Sequence, residues 1–248
     1  MAITGIGLLS PDVVLKKVDA EEVNNPLSIA EKQTYLGNIC QELSVKWPKN
    51  RSINIVFHGH SVPSGYFATP VVDTFNAYPH LFHVGLKQRY PYSVVNVIVT
   101  AIGGENSIKG SKRFARDVLC HKPDVLLIDY ALNDRAAGLA DAKSAWESMI
   151  EQALEKNIKV ILLTPSIDVA HVVDKSDEPL NQHAQQIRQL AKKYNVGMVD
   201  SLATFDTVLV KGIKTKQLLS NGYNHPNRRG HDLIAEKILE WFPTPSKP

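Results

Sequence analysis

Short apolar runs that do not alternate with polar residues, each followed by an amphipathic stretch, constrain this chain more than any other feature. The runs are Ile53 to Phe57, Val94 to Val99, Val125 to Asp129, Val160 to Leu163 and Val196 to Val199. A half-exposed strand alternates apolar and polar residues; a continuous β-branched run is what a parallel strand buried on both faces requires. Helical patterns lie between them, around His80 to Tyr90, Ser107 to Cys120, Asp141 to Lys156 and Asn181 to Tyr194. A final helix, Arg229 to Phe242, places Leu233, Ile234, Ile238 and Leu239 on one face. The alternation predicts an α/β three-layer sandwich (α/β/α) with about five parallel strands. Residues 1–50 are less periodic. Ser28-Ile29-Ala30-Glu31 has capping-box spacing and opens a helical pattern through Tyr35, Ile39, Cys40 and Leu43, which Pro48 ends. The expected organisation is an N-terminal extension, 1–50, packed on a core domain, 51–248.

Composition narrows the function. With 248 residues, 44% hydrophobic and 21% charged, the chain suits one sizeable globular core. Its formal charge of +3 is small, and Lys16-Lys17, Lys192-Lys193 and Arg228-Arg229 are isolated pairs, so no nucleic-acid partner is expected. No apolar run reaches membrane-spanning length, and the start, MAITGIGLLSPDVV, has no basic segment leading into a long apolar one. The chain therefore reads as soluble and free of membrane partners, either cytoplasmic or secreted with a leader removed. Cys40 and Cys120 form no metal-type pair and read as buried free thiols. Nothing in the sequence sets an oligomeric state.

In an open parallel sheet, ligands sit beyond the carboxyl ends of the strands. The residues that follow each run are Gly59-His60-Ser61, then Ala101 to Asn106 with Gly103-Gly104, then Tyr130 to Arg135 with Asn133-Asp134, then Thr164-Pro165-Ser166. Asn221 to His231 precedes the last helix. An ester hydrolase needs a nucleophilic oxygen, a base to take its proton, and donors where charge develops on the carbonyl oxygen. Ser61 supplies the oxygen, His225 the base, and Gly104 and Asn133 the donors: glycine lets its N–H approach closely, and a carboxamide is a neutral donor.

The order Gly59-His60-Ser61, Gly104, Asn133-Asp134 and His225-Pro226-Asn227-x-x-Gly230-His231 resembles the SGNH hydrolases, the GDSL esterase/lipase superfamily. The resemblance runs from Ile53 to Phe242. It implies a flavodoxin-like fold, Ser61 as nucleophile with His225 as general base, and an oxyanion hole made by the Ser61 and Gly104 N–H groups and the Asn133 amide. The implied activity is hydrolysis of a carboxylic ester through an acyl-enzyme, with no cofactor or metal. Polar candidates for substrate contact (His60, Glu105, Arg135, Tyr66) point to short acyl groups on a polar or carbohydrate alcohol.

The family pattern is broken twice. Its usual Gly-Asp-Ser is Gly-His-Ser here, and the acid it carries three residues before the histidine is replaced by Gly222. Asn221 is the neighbouring candidate for orienting His225; a main-chain oxygen is another, and Asp200 is a displaced acid to consider. His60 reads either as packing under the loop or as touching substrate. Asp134 reads as a helix cap and His231 as an anchor for the last helix. Two rival functions remain: a catalytically impaired carbohydrate-binding or scaffolding module, and a metal-dependent hydrolase using His58 and His60, which share a face if the strand continues that far.

Overall fold

The computed structural model describes residues 28–244. Its five strands are all parallel: β1 (Ser52–Gly59), β2 (Val94–Val99), β3 (Val125–Asp129), β4 (Lys159–Leu163) and β5 (Gly197–Val199). They lie in the order β2-β1-β3-β4-β5. The chain leaves β1 to one side to make β2 and returns to the other side to make β3. The crevice of such a sheet opens at that reversal, beyond the carboxyl ends of β1 and β3.

Alternate residues of each buried strand enter different layers. Ile55 and Phe57 of β1, Leu127 of β3 and Leu163 of β4 pack with Phe82 and Leu86 of α3 (Tyr78–Arg89), Phe205 of α8 (Ser201–Val210) and Ile234 and Ile238 of α9 (Arg228–Leu239). Val56, Leu126, Ile128 and Leu162 face the other way. They meet Phe114 of α4 (Ser107–Asp117), Trp146 and Ile150 of α6 (Leu139–Leu154) and Ile187 of α7 (Pro179–Tyr194). Each fully buried aliphatic or aromatic side chain contributes about 1.5–3 kcal/mol. This double-sided burial is why the runs lack polar alternation. The edge strand β2 is the exception, with Val94 and Val99 exposed.

Strand and helix positions follow the sequence pattern, with two differences. The 32–44 segment begins as turns and becomes helical only in α1 (Gly37–Ser44), whose N-cap is Leu36 without a side-chain bond. The Ser28–Glu31 spacing therefore does not start it. Helix α8 was not anticipated; Asp200 opens it by accepting from Ala203 N–H. Both cysteines are free, but Cys120 is exposed and Cys40 only half-buried. The thiol of Cys120 thus contradicts the buried reading.

Residues 28–50 pack on the sheet. Leu36 and Leu43 are buried, Ala30 N–H donates to Val196 O, and Tyr35 Oη exchanges bonds with Val160 N–H and O. The rest of the proposed extension, including Lys16-Lys17 and the MAITGIGLLSPDVV segment, lies outside the described residues. Among the described residues, no helix is long and apolar enough to cross a membrane.

Candidate active site

Strand β1 ends where Gly59 meets β3. A Cβ on Gly59 would lie 2.4 Å from Asp129 O, so only glycine lets the two strand ends come this close. His60 N–H then donates to Asp129 O, and the chain turns into the single-turn α2 (Ser61–Ser64). That turn presents Ser61, 6% exposed, at the carboxyl edge of the sheet.

His225 arrives from the far end of the chain. Its Nε2 is 3.1 Å from Ser61 Oγ. Its Nδ1 is 2.8 Å from the main-chain oxygen of Phe67. A carbonyl only accepts, so Nδ1 carries the hydrogen and Nε2 carries the lone pair facing the serine hydroxyl. Burial, more than any other influence, lowers the pKa of His225 below the ordinary histidine value. The bond to Phe67 O opposes that shift without cancelling it. The ring is therefore neutral at neutral pH, as a base must be.

Of the two orienting candidates at His225, the geometry selects the main-chain oxygen. Asn221 does something else: its Oδ1 accepts from the N–H groups of Tyr223, Asn224 and His225, and its Nδ2 donates to Asn224 Oδ1. It shapes the histidine loop and leaves the imidazole to Phe67. Asp200 is no displaced acid either. It is committed to Arg188, Thr164 Oγ1 and the cap of α8.

The expected donors, Gly104 and Asn133, follow the next two strand ends. Gly104 follows β2 with φ +77, a left-handed conformation, and open space where a Cβ would stand. Its N–H makes no main-chain bond among the described residues. Asn133 lies in the single-turn α5 (Ala131–Asp134), half-buried, and gives one Nδ2 hydrogen to Glu105 O at 2.8 Å. The second hydrogen remains for a ligand. Ser61 N–H, the first of α2, has no intrahelical partner.

Of the residues expected to touch substrate, Glu105, Arg135 and His60 are otherwise engaged, while Tyr66 is not. Glu105 pairs with Arg113 through both carboxylate oxygens, at 2.6–3.1 Å, which fixes the loop whose carbonyl holds Asn133. Arg135 pairs with Asp168, which is almost fully buried. His60 is 0% exposed, so it cannot reach a substrate. Tyr66 lies 6.0 Å from the His225 ring, centroid to centroid, and stays half-exposed at the rim.

The histidine pair does not converge. The strand stops at Gly59, so His58 stays on the α4 face, bonded to Thr100 Oγ1 and Tyr130 Oη, while His60 turns towards Asp129. Burial, then the nearby Arg113 charge, pushes the pKa of His58 down to about 3. His231 also serves structure: its Nδ1 accepts from Tyr78 N–H and its ring stacks on Phe67 at 5.0 Å. Asp134 accepts from Ser107 N–H at the start of α4 and from Trp146 Nε1. Among the described residues, no group of three His, Cys, Asp or Glu is arranged to hold a metal.

A model of the GDSL-like lipase/acylhydrolase family matches residues 57–233, a span from β1 into α9 that takes in every site residue above. The chain belongs to that family. As a family member it is a carboxylic ester hydrolase. An acetylxylan esterase of Geobacillus stearothermophilus is 26% identical over 172 residues, covering 63% of this chain and 76% of the relative. The crystal structure of an acetylxylan esterase from that organism superposes with a TM-score of 0.67 at 22% identity, covering 77% of this chain and 94% of the other. A structure from Parabacteroides merdae described as a GDSL-like lipase gives 0.66 at 18% identity, covering 80% and 99%. These likenesses confirm the GDSL fold: a parallel five-stranded sheet flanked by helices.

Two residues that adjoin the Ser61–His225 contact or its neighbour His60 were not legible in the sequence. Phe67 contributes a peptide oxygen, which no side-chain pattern advertises. Asp129 was taken only as the last residue of a buried run. A carboxylate ending an otherwise apolar strand, 3% exposed, is the signal that distinguishes it.

Proposed function

We propose that the enzyme removes acetyl groups from a carbohydrate alcohol by a serine mechanism through an acyl-enzyme. The observation that carries this reading is the 3.1 Å contact between Ser61 Oγ and a correctly oriented His225 Nε2. In the first half-reaction Ser61 Oγ attacks the acetyl carbonyl carbon and its proton passes to His225 Nε2. The carbonyl electron pair moves onto oxygen, which the N–H groups of Ser61 and Gly104 and the free hydrogen of Asn133 Nδ2 receive. The intermediate collapses, the sugar oxygen leaves with the proton from His225, and the acetyl group stays on Ser61. Water then repeats the sequence and releases acetate.

The acetyl assignment is supported by the acetylxylan esterase relatives. A cavity of about 490 Å³ at the β5 edge, between Ile29 and Trp241, contains none of the site residues. Hydrolysis of p-nitrophenyl acetate and of acetylated xylo-oligosaccharides tests the proposal, with p-nitrophenyl octanoate as comparison. Short esters should be preferred, and Ser61→Ala should lose at least about 10³-fold in kcat. A fluorophosphonate should label the peptide containing Ser61. Equal rates for Ser61→Ala and wild type would indicate a binding module in place of a catalyst, and preference for octanoate would overturn the acetyl assignment.

A further inference from the structure

Resting on the serine reading, a second histidine adjoins the nucleophile, and the mechanism above leaves it unused. His60 Nδ1 is 3.4 Å from Ser61 Oγ and accepts Val62 N–H at 3.3 Å. Because Val62 donates, Nδ1 carries the lone pair and Nε2 the hydrogen. That Nε2 lies 3.4 Å from Asp129 Oδ1, a close electrostatic contact without hydrogen-bond geometry, and both atoms are left without a hydrogen-bond partner among the described residues. The other Asp129 oxygen accepts Tyr78 Oη at 3.0 Å. Asp129, His60 and Ser61 are 3%, 0% and 6% exposed, so water does not screen the arrangement.

We propose that the buried Asp129–His60 pair activates the Ser61 hydroxyl, with His60 a catalytic residue touching Ser61 Oγ and Asp129 a positioning residue acting through it. Asp129 polarises the imidazole, so its negative end, Nδ1, faces the place where charge changes. In the ground state, lone-pair density on Oγ stands against lone-pair density on Nδ1. During attack that density enters the new carbon–oxygen bond, and the proton leaves for His225, which becomes a cation. The first change is favoured by a negative dipole end beside Oγ. The interaction is therefore stronger in the transition state than before it, which is the condition for raising kcat. His60 keeps its own proton on Nε2 throughout. The usual acid neutralises His225 from the far side of its ring. Here that place is taken by the neutral Phe67 carbonyl.

The test is steady-state hydrolysis of p-nitrophenyl acetate by the full chain carrying His60→Asn, Asp129→Asn, or both, beside Ser61→Ala. Asparagine at 60 keeps a cap acceptor for Val62 N–H, and asparagine at 129 keeps an acceptor for Tyr78. Each single variant should lose at least about 10-fold in kcat, with KM within about threefold. The double variant should be no slower than the slower single by more than about threefold, because the pair acts as a unit. Singles that retain wild-type kcat within threefold, or losses that multiply in the double, would overturn the proposal. Should Asp129→Asn not fold, His60→Asn decides by the same kcat and KM criterion. Nitrogen NMR of ¹⁵N-histidine wild-type protein gives an independent readout: an unprotonated His60 Nδ1 is expected, and a protonated one refutes the assignment. Failure of the serine reading looks different, since Ser61→Ala would then remain active.

Discussion

The two halves of the active site are fastened by different chemistry. The loops that carry the proposed nucleophile and donors, at the ends of β1, β2 and β3, are held largely by charged groups: Glu105 on Arg113, Arg135 on Asp168, and Asp134 on Ser107 N–H and Trp146. The histidine loop, before α9, is held by neutral ones. Asn221 Oδ1 gathers successive N–H groups, Ser220 Oγ donates to His225 O, and the ring leans on Phe67 O. The difference teaches that an imidazole is placed as firmly by a carbonyl as by a carboxylate. What the carbonyl does not supply is a full negative charge against the imidazolium that forms during attack.

Breaking the charged half should have the largest effect. Arg113→Met leaves the Glu105 carboxylate without its partner in a mostly buried setting. A loss of about 3–5 kcal/mol is expected on thermal or urea unfolding. Survival with less than 1 kcal/mol lost would show that the clamp does not hold the loop. In the neutral half, Asn221→Ala removes one acceptor from three N–H groups and should lower kcat about 10-fold, with KM little changed. Asn221→Asp keeps the acceptor and should remain close to wild type. Equal losses in both would show that the amide itself matters.

A smaller effect is expected at Gly104. Alanine there has room but inherits φ +77, a strain of about 1–2 kcal/mol, so stability should fall by that amount. An unchanged Tm would mean the loop relaxes freely. The subtlest contrast is in pH. Because burial lowers the His225 pKa, kcat/KM should hold as the medium is acidified and fall only as pH drops through a value below 6.5. A pH–rate profile with its acid limb at or above 6.5 would show that negative charge at the ring outweighs burial.

The layers were legible because burial on both faces writes itself into β-branched runs: Val125–Asp129 falls where the pattern put it, buried at every position. Ser61 and His225 were legible because each stands in a motif beside a strand end or helix start. The engagement of Glu105 and Arg135 was not. Whether a loop charge faces solvent or a partner depends on residues such as Arg113 and Asp168, which meet it only in the folded chain. Asn221 misled for a related reason: the same carboxamide suits a ring nitrogen or a run of backbone N–H groups, and only the loop's path chooses. His60 was readable as packed, but its neighbour Asp129 comes from a different strand.

The acceptor behind His225 belongs to the polypeptide chain itself. Replacing Phe67 by any other amino acid leaves a carbonyl in place, so this acceptor is not lost to the single substitution that removes the acid of a carboxylate triad. Its vulnerability lies instead in the 66–72 hairpin, closed by the bridge between Tyr66 and Val72. Insertions or deletions there would rotate the general base away from its serine while every motif remained intact in the sequence.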